Sequence, residues 1–410
     1  MKMLFNKISL IALSAMMGFS FIQNANAQNT PEQAANAAQS STCGSNLKDW
    51  LDGVAKEAKA QGVSDHSIQE LYDAQIDEKV LGRDRSQAIF NLTFADFSKR
   101  VISDNRLQKG RENLVKYKAI FDKAEETYGV PGPVIAAFWG LETDFGAVQG
   151  NFNTLNSLVT LAHDCRRPDL FRPQVIALLK LFDTGVVDSK TQGAWAGEIG
   201  QMQLLPKDYL ERGVDGDGDG KVDLRNSTAD AIMTAARMIS ELGWKRGQPW
   251  LEEVRVTGQN VPWQEATRQN RKPHSQWADW GISGLKGPLG ADDGDASLVL
   301  PMGRKGPAFL SYDNFDVFVE WNKSIVYATT VAYFAARLNG APSFDLGNPD
   351  AGLSTDDMKA LQEKLLARGH EIGKIDGVYG ALTRDAVRAE QLRLNMPADA
   401  WPTQDLLEKL

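Results

Sequence analysis

The chain has 410 residues, of which 42% are hydrophobic and 24% are charged, a composition typical of a globular protein with one large domain and a smaller one. Its formal net charge of −8 makes it a poor match for the phosphate backbone of nucleic acids, so we expect no nucleic-acid partner. Binding to any anionic polymer must then depend on local contacts in a shaped cleft rather than on a global electrostatic field.

The amino terminus is typical of a secretory signal peptide. Two lysines precede an apolar run over residues 8–22, and an Ala-Asn-Ala triplet follows at residues 25–27. The run is shorter than the ~20 residues that a membrane-spanning helix needs. The first cysteine, Cys43, is too far from the triplet for a lipid anchor. We predict a signal peptide over residues 1–27, a flexible lead-in over residues 28–46, and an exported, soluble protein without a membrane anchor.

The only two cysteines are Cys43 and Cys165. An even pair in an exported chain is usually bridged, so we predict a Cys43–Cys165 disulfide, with two buried free thiols as the alternative. In the chain-entropy model, closing so long a loop stabilises the fold by ~4 to 5 kcal/mol. Neither cysteine is a candidate nucleophile, because none of the four histidines falls in a recognisable nucleophile-base pattern.

Helical spacing of apolar residues dominates from about residue 47 to residue 243. Between residues 250 and 312 the pattern changes to short segments separated by Gly and Pro, which predict a few strands or long loops. Helix resumes over residues 315–338. The predicted fold class is therefore mainly α, with a few short strands.

A stretch rich in Gly, Pro and Asn, residues 341–353, indicates an interdomain linker. It separates a large predicted domain over residues 47–340 from a small one over residues 354–410. The small domain has its own helical stripes of apolar residues.

Residues 128–146 predict a helix of about three turns that carries an acid on an apolar face. The acid is Glu142, near the last turn, and it shares its face with Ile135, Phe138 and Trp139. Apolar surroundings and the negative end of the helix dipole both disfavour ionisation, so we expect a raised pKa for Glu142. A general acid for glycosidic cleavage requires such a pKa. A solvated residue at a helix end is the alternative.

A second motif, residues 193–206, is rich in Gly and Ala, which allow a backbone to approach a sugar closely. Gln203 can donate and accept hydrogen bonds with an amide or hydroxyl of a glycan. Trp195 suits the protein core and stacking on a sugar equally well. Glu198 could supply a second carboxylate, but we expect it to be solvated or structurally hydrogen-bonded, since most charged residues are exposed.

Residues 215–226 have the spacing of an EF-hand-type calcium loop. Closely spaced aspartates repel one another unless a cation neutralises them, so we predict a structural calcium ion. Position twelve is Asn226 rather than a bidentate glutamate, which indicates lower affinity or completion by Asp230. A polar turn without metal is the alternative. The predicted ligands are Asp215, Asp217, Asp219, the backbone carbonyl of Lys221, Asp223 and Asp230.

Three motifs, residues 140–146, 193–206 and 215–226, together resemble those of the lytic murein transglycosylase B family. The similarity spans roughly residues 47–338. The resemblance implies a lysozyme-like helical domain without an organic cofactor, with Glu142 as its single catalytic glutamate. It also implies an enzyme that acts on the glycan strands of peptidoglycan. With the predicted signal peptide, we expect it to work in the periplasm, and we expect a monomer.

The implied reaction is non-hydrolytic. Glu142 gives its proton to the oxygen between MurNAc and GlcNAc, and then removes the proton of the MurNAc 6-hydroxyl, which closes a 1,6-anhydro ring. No second carboxylate is needed at the separations that glycosidases use. Gln203 maps onto a substrate-contacting glutamine of the family, and Asn322 and Tyr327 are expected to face the cleft.

Residues 376–380 and 383–387 resemble a three-helix peptidoglycan-binding domain. Glu390 stands where an aromatic residue is expected, and Ala400 where glycine is usual. Such a domain would raise the effective concentration of the enzyme at the wall, whereas the alternative is a merely structural helical cap.

Two other functions stay open at this point. One is a muramidase on the same scaffold, in which water enters and reducing ends form. The other is a non-catalytic wall-binding protein, in which Glu142 is incidental. The fold alone does not separate these functions, so the site residues must decide.

Overall fold

The structure is a computed structural model that describes residues 43–85, 92–290 and 294–410. The predicted signal peptide and most of the predicted lead-in lie outside the described residues. No helix in the described ranges is both long enough and apolar enough to cross a membrane.

Helices form most of the regular structure, which confirms the predicted fold class. Several begin at a polar residue, such as Ser64, Thr93 or Ser103, whose side chain accepts a hydrogen bond from a backbone N–H of the first turn. In chain order the helices are α1 (Leu47–Ala60), α2 (Asp65–Leu71), α3 (Glu78–Arg85), α4 (Phe94–Val101), α5 (Asp104–Lys116), α6 (Lys118–Tyr128), α7 (Gly132–Thr143), α8 (Thr154–His163), α9 (Pro168–Phe182), α10 (Pro206–Arg212), α11 (Thr228–Glu241), α12 (His274–Asp279), α13 (Asp313–Trp321), α14 (Ile325–Leu338), α15 (Thr355–Ala367), α16 (Ala381–Arg393) and α17 (Gln404–Lys409).

The predicted short strands are present between residues 251 and 311. In chain order the strands are β1 (Phe152–Asn153), β2 (Gln192–Gly193), β3 (Leu251–Val256), β4 (Lys272–Pro273), β5 (Ile282–Gly284), β6 (Asp295–Val299) and β7 (Ala308–Ser311). The last five form an antiparallel sheet in the order β4-β6-β7-β3-β5. Trp277, Leu298 and Tyr312 belong to the buried cluster on this sheet. β1 and β2 form a separate pair earlier in the chain.

The helical structure predicted over residues 315–338 is present, but it is divided into two helices, α13 and α14. Asn322 adopts an extended conformation that ends α13. Ser324 then caps α14 by accepting a hydrogen bond from the N–H of Tyr327. Ser324, a capping residue in the middle of the apolar helical pattern, is the sequence signal for the boundary between the two helices.

The chain divides into two compact units, each described by itself. The first comprises Met1–Gln87 and Phe138–Met238. In its described part α8 and α9 pack together, and residues such as Leu158 and Leu178 are fully buried. The predicted disulfide between Cys43 and Cys165 is formed in this unit and joins residues 122 positions apart in sequence.

The second unit comprises Ala88–Ala137 and Ile239–Leu410, and therefore includes the five-stranded sheet and the carboxy-terminal helices. α15, α16 and α17 enclose a hydrophobic core of their own. Gln362 holds the predicted binding motif, because its side-chain oxygen accepts hydrogen bonds from the N–H groups of Asp376 (3.1 Å) and Gly377 (2.8 Å).

Glu390 and Ala400 differ from the residues expected at their positions in this domain, and the structure explains both differences. Glu390 is 3% exposed and accepts hydrogen bonds from His370 (2.7 Å) and Arg393 (2.8 Å). Burial acts to raise the pKa of Glu390, but these two partners outweigh it and lower the pKa. Ala400 has a φ of 62°, a left-handed conformation in which glycine is the usual residue.

The segment predicted as a linker is in contact with a loop of the second unit. The backbone N–H of Asn348 donates to the carbonyl of Lys305 at 2.9 Å, and the Lys305 ammonium lies 2.7 Å from the Asp350 carboxylate. Nearby, the Arg304 guanidinium lies 3.2 Å from Asp399, which is 3% exposed. The carboxy-terminal helices are therefore held against this loop.

Candidate active site

Glu142 is the next-to-last residue of α7 and is buried, with 4% of its surface exposed. It is therefore not a solvated helix-end residue. Its neighbours one turn earlier on the helix, Phe138 and Trp139, are also buried. The structure confirms the predicted placement of an acid on an apolar helix face near the helix end.

The turn after α7 is unusually constrained. Asp144, Phe145 and Gly146 all have positive φ, with values of 51°, 61° and 81°. For the two residues other than glycine, this left-handed conformation costs about 1 to 2 kcal/mol each. Phe145 packs edge-on against Trp139, with ring centroids 5.4 Å apart. The turn fixes the end of the helix at the position of the catalytic candidate.

Thr143 ties this helix end to the second motif. Its hydroxyl donates a 2.7 Å hydrogen bond to the carbonyl of Gln201 and accepts a 2.8 Å hydrogen bond from the N–H of Gly146. A β-carbon at Gly146 would lie 2.7 Å from the Gln201 side-chain oxygen, so only glycine fits without displacing it. The sequence analysis did not single out Thr143 or Gln201, although each is part of a motif that it used.

In the second motif the small residues serve close packing within the protein. A β-carbon at Gly193 would lie 2.1 Å from the carbonyl oxygen of Glu198. One at Gly197, whose φ is 90°, would lie 2.3 Å from Leu158. Ala194 and Ala196 are buried. Residues 193–206 therefore pack closely on one another and on α8.

Gln203 is 5% exposed, and its side-chain amide is oriented by the backbone around it. Its Nε2 donates to the carbonyls of Gly200 (2.8 Å) and Gln149 (3.3 Å). Its Oε1 has no hydrogen-bond partner among the residues that the structure describes. Gln203 can therefore offer an acceptor to a ligand, whereas the sequence analysis expected both a donor and an acceptor.

Trp195 is 2% exposed, so its ring lies in the core of the first unit. A ring buried to this extent in the protein alone offers little surface for stacking on a sugar. Of the two roles that suit tryptophan, the structure favours the core role.

The expectation that Glu198 is solvated is wrong, because its side chain is buried. Glu198 is 2% exposed, and neither carboxylate oxygen makes a hydrogen bond of normal geometry within the described chain. Burial, and to a smaller extent the negative charge of Glu142, raise the pKa of Glu198 from an ordinary 4.5 to about 7. The backbone N–H groups of Glu198 and Ala196 and the charge of Arg167 act in the opposite direction.

Asn322 and Tyr327 lie in the second unit and are both buried, at 2% and 3% exposure. The Asn322 side-chain oxygen accepts a 3.0 Å hydrogen bond from the N–H of Ser324. Tyr327 lies in the first turn of α14. Both residues therefore border the break between α13 and α14.

The aspartate loop brings together three of its predicted ligands. Oxygens of Asp215, Asp217 and Asp230 all lie within 4.8 Å of one another. Asp219 and Asp223 lie outside this cluster and accept backbone hydrogen bonds, for example from Lys221 N–H at 2.8 Å and Arg225 N–H at 3.0 Å. The donor set is carboxylate oxygen, which suits a hard cation such as calcium.

The loop also supports the second motif. The N–H of Gln201 donates to the carbonyl of Leu224 at 2.8 Å, and a β-carbon at Gly200 would lie 2.6 Å from that oxygen. The Tyr209 hydroxyl donates to the carbonyl of Val222 at 2.7 Å. The aspartate loop, residues 215–226, is therefore hydrogen-bonded to the backbone just before Gln203 and to the Tyr209 side chain that follows it.

This helical fold, with a buried glutamic acid at a helix end beside a glycine-rich segment, defines the class of lysozyme-like enzymes that cleave glycans. The family model of the transglycosylase SLT domain matches residues 46–336. The chain therefore belongs to the lytic transglycosylase family of enzymes, which act on peptidoglycan. A model of a peptidoglycan-binding domain matches residues 354–410. Both resemblances found in the sequence are confirmed.

Individual relatives agree with the family assignment. The chain is 28% identical over 237 residues to membrane-bound lytic murein transglycosylase B of Escherichia coli. That match covers 57% of this chain and 64% of the relative, just under two thirds of its length. The crystal structure of SltB3 from Pseudomonas aeruginosa in complex with NAG-anhNAM-pentapeptide is 35% identical, with a TM-score of 0.82, and covers 89% of this chain and 99% of that one. The Escherichia coli lytic transglycosylase Slt35 in complex with calcium is 25% identical, with a TM-score of 0.61 and coverages of 70% and 92%.

Proposed function

We propose that this protein cleaves the β-1,4 bond between MurNAc and GlcNAc in peptidoglycan and leaves 1,6-anhydro-MurNAc ends. The observation that carries the proposal is the buried Glu142, held at the constrained end of α7 in a lytic transglycosylase domain. The related SltB3 was crystallised with an anhydro-muramyl ligand, which supports the non-hydrolytic product. This support favours lytic cleavage over a muramidase or a purely binding role.

In the proposed reaction Glu142 acts twice. Its protonated carboxyl gives a proton to the glycosidic oxygen as the bond from that oxygen to the MurNAc anomeric carbon breaks. The carboxylate then accepts the proton of the MurNAc 6-hydroxyl, whose oxygen bonds to the same carbon. Glu142 ends the cycle protonated, as it began, and no water is consumed. A buried carboxyl suits both steps, because bulk water is kept from the reacting carbon.

Gln203 is proposed to position the substrate. Since its Nε2 is occupied by two backbone carbonyls, its Oε1 is the atom available to a ligand. An acetamido N–H or a sugar hydroxyl can donate to it. Asn322 and Tyr327 are proposed as further substrate contacts on the resemblance alone.

The test is mass spectrometry of the fragments released from purified peptidoglycan. Fragments one water lighter than hydrolytic products support the proposal, whereas reducing ends would identify a muramidase. The variant Glu142→Gln should release no fragments while still binding peptidoglycan. Glu241→Gln is the matched control, because Glu241 is an exposed glutamate at the end of α11. Full activity of Glu142→Gln would overturn the assignment of the catalytic acid.

We further propose a structural calcium ion held by Asp215, Asp217 and Asp230. The clustering of their oxygens supports this site, as does the calcium in the related Slt35. Calcium would neutralise the carboxylates and stiffen a loop that is bonded to Gln201. The ion takes no part in the chemical steps.

Periplasmic location, export by the predicted signal peptide and a monomeric state are also proposed. Binding of peptidoglycan by residues 354–410 is supported by the family match and by a core that these helices build themselves. Co-sedimentation of the protein with peptidoglycan, compared with a variant carrying substitutions on the exposed surface of this domain, tests the binding role.

A further inference from the structure

Gln149 follows the constrained turn after α7, and its side-chain amide is turned into the protein although the residue is only half-buried. Its Nε2 donates to two backbone carbonyls, those of Gly146 (3.2 Å) and Arg225 (2.9 Å). Its Oε1 is buried and has no hydrogen-bond partner among the residues that the structure describes. A buried acceptor without a partner costs stability. Local departures from full hydrogen bonding are expected chiefly at functional positions.

The two carbonyls that Gln149 holds belong to different parts of the site. Gly146 ends the turn that follows the helix of Glu142, and Arg225 lies in the aspartate loop. The Arg225 carbonyl also accepts a 3.3 Å hydrogen bond from the Nε2 of Gln201, whose own carbonyl accepts the bond from Thr143. Two glutamine amides therefore converge on one carbonyl of the aspartate loop and connect it to the turn.

The backbone of Gln149 reaches the proposed substrate contact directly. Its carbonyl accepts a 3.3 Å hydrogen bond from the Nε2 of Gln203, and the carbonyl of Gly200 accepts the other at 2.8 Å. If the Gln203 amide were rotated by half a turn, its oxygen would face two carbonyl oxygens. Gln149 therefore supplies one of the two acceptors that keep the Oε1 of Gln203 in its orientation.

The chain is closely packed on both sides of Gln149. The N–H of Val148 donates to the carbonyl of Thr143 at 2.9 Å. On the other side, a β-carbon at Gly150 would lie only 2.0 Å from the carbonyl oxygen of Gly193. Closely packed structure transmits a displacement rather than absorbing it. A shift of residue 149 should therefore reach the Gln203 amide that is bonded to it.

We propose that Gln149 is a positioning residue that acts through Gln203. Its side-chain amide ties its own backbone to the turn and to the aspartate loop, and its carbonyl then holds Gln203 as a fixed acceptor. The inference rests on the proposed function, in which the glycan donates a hydrogen bond to the Oε1 of Gln203. An acceptor that is oriented before the ligand arrives binds it more tightly. The bond from Thr143 to Gln201 does not involve Gln149, so substrate binding should change more than the chemical step.

The first test measures the orientation of Gln203 without using activity. Glutamine side chains are labelled with ¹⁵N, and the Nε2 amide of Gln203 is assigned by its absence in Gln203→Met. In the wild type both amide protons are bonded to carbonyls and should exchange slowly with solvent. Gln149→Met keeps the length of the side chain but removes both donors, so the Gln203 resonances should shift and exchange about 10-fold faster. Unchanged resonances and exchange would overturn the proposal.

The second test separates binding from chemistry. The dissociation constant of a soluble GlcNAc-MurNAc-pentapeptide is measured in Glu142→Gln, which is expected to bind without cleaving. Adding Gln149→Met should weaken binding by about 5- to 10-fold. In the otherwise unchanged enzyme, Gln149→Met should raise KM and leave kcat nearly constant. An unchanged dissociation constant with a lowered kcat would contradict a role in substrate positioning.

Two further variants control for a merely structural effect. Gln149→Lys should recover part of the affinity, because an ammonium group can donate to both carbonyls. Asn156→Leu is the matched control in the same unit: it removes a side-chain acceptor of the Gln75 N–H (2.8 Å) and should keep the wild-type dissociation constant. Equal weakening by Gln149→Met and Asn156→Leu would show that Gln149 has no special role.

The outcomes distinguish failure of this inference from failure of the proposed function. Products with reducing ends contradict the proposed function, while the Gln203 amide still reports whether Gln149 orients it. Anhydro products together with an unchanged Gln203 amide contradict the inference alone. If Gln149→Met does not fold, both measurements are made on Gln149→Asn, whose shorter side chain cannot keep both donor bonds in place.

Discussion

The hydroxyl of Thr143 donates a 2.7 Å hydrogen bond to the backbone carbonyl of Gln201, and both groups are buried. This bond joins the end of the helix that carries Glu142 to the segment that carries Gln203. It fixes the two site residues relative to each other more directly than any other hydrogen bond described above.

Replacing Thr143 by valine should therefore reduce activity beyond its effect on stability. The variant leaves the Gln201 carbonyl without this donor in the protein interior, which should cost about 1 to 3 kcal/mol in the free energy of unfolding. A small misplacement of Glu142 should lower kcat by about 10 to 100-fold. Thr184→Val is the control, since the Thr184 hydroxyl bonds the Leu181 carbonyl at the end of α9. An equal loss of kcat in both variants would show that Thr143 has no special role.

The raised pKa of Glu198 predicts how stability changes with pH. Its folded-state pKa is about 7, against an ordinary value of 4.5. Folding therefore favours the protonated form, so this stabilisation is fully present below pH 4.5, decreases between pH 4.5 and 7, and is lost above pH 7. The total loss should be about 3 kcal/mol in the wild type and absent in Glu198→Gln. Chemical unfolding near pH 4 and above pH 7 measures it, and parallel curves for the two proteins would contradict the burial of a neutral acid.

Calcium should stabilise the protein in proportion to its occupancy of the aspartate loop. At a free calcium concentration of about 100 times Kd, the free energy of unfolding should rise by about 2 to 3 kcal/mol. A chelator should remove this gain, and Asp217→Asn should abolish it. Asp219→Asn is the informative comparison, because Asp219 lies outside the cluster of oxygens and should matter less. Equal effects of the two variants would instead support the full loop of ligands predicted from the sequence.

Loss of the disulfide should destabilise the first unit. With Cys43 and Cys165 separated by 122 positions, the double serine variant should lose about 4 to 5 kcal/mol in the chain-entropy model. Thermal unfolding with and without a reducing agent measures the loss. The double variant itself should be insensitive to the reductant. A wild-type protein that is equally insensitive would show that the bridge contributes nothing.

The sequence predicted the features that depend on local pattern. Glu142 was placed correctly on its helix, since prolines and glycine set the ends and a period of 3.6 sets the face. The disulfide followed from two cysteines in a chain that is predicted to be exported. The short strands followed from the loss of helical spacing after residue 250.

The failures concern residues whose environment is decided by distant parts of the chain. Glu198 and Trp195 lie in one short segment, and nothing in their spacing shows that α8 and the segment itself enclose them. Most glutamates in folded proteins are exposed, so the sequence predicts an exposed Glu198, whereas the structure buries it. The calcium ligands remain a prediction. Asp230, which was expected to complete the loop, has an oxygen close to those of Asp215 and Asp217, whereas Asp219 and Asp223 lie outside this cluster despite their spacing. Tertiary packing overrides local expectation at these positions.

The contacts of the carboxy-terminal helices decide whether wall binding and cleavage can be separated by truncating the chain. Arg304 donates to Asp399 through both its backbone N–H and its guanidinium, and the indole N–H of Trp401 donates to the carbonyl of Asp350. Cutting the chain before residue 354 would leave Arg304 without its partner and open the surface under Trp401. A truncated protein would thus be a damaged enzyme rather than a simpler one, and a loss of activity on truncation would not measure how much wall anchoring contributes. Surface substitutions that leave these contacts intact are the appropriate way to separate anchoring from cleavage.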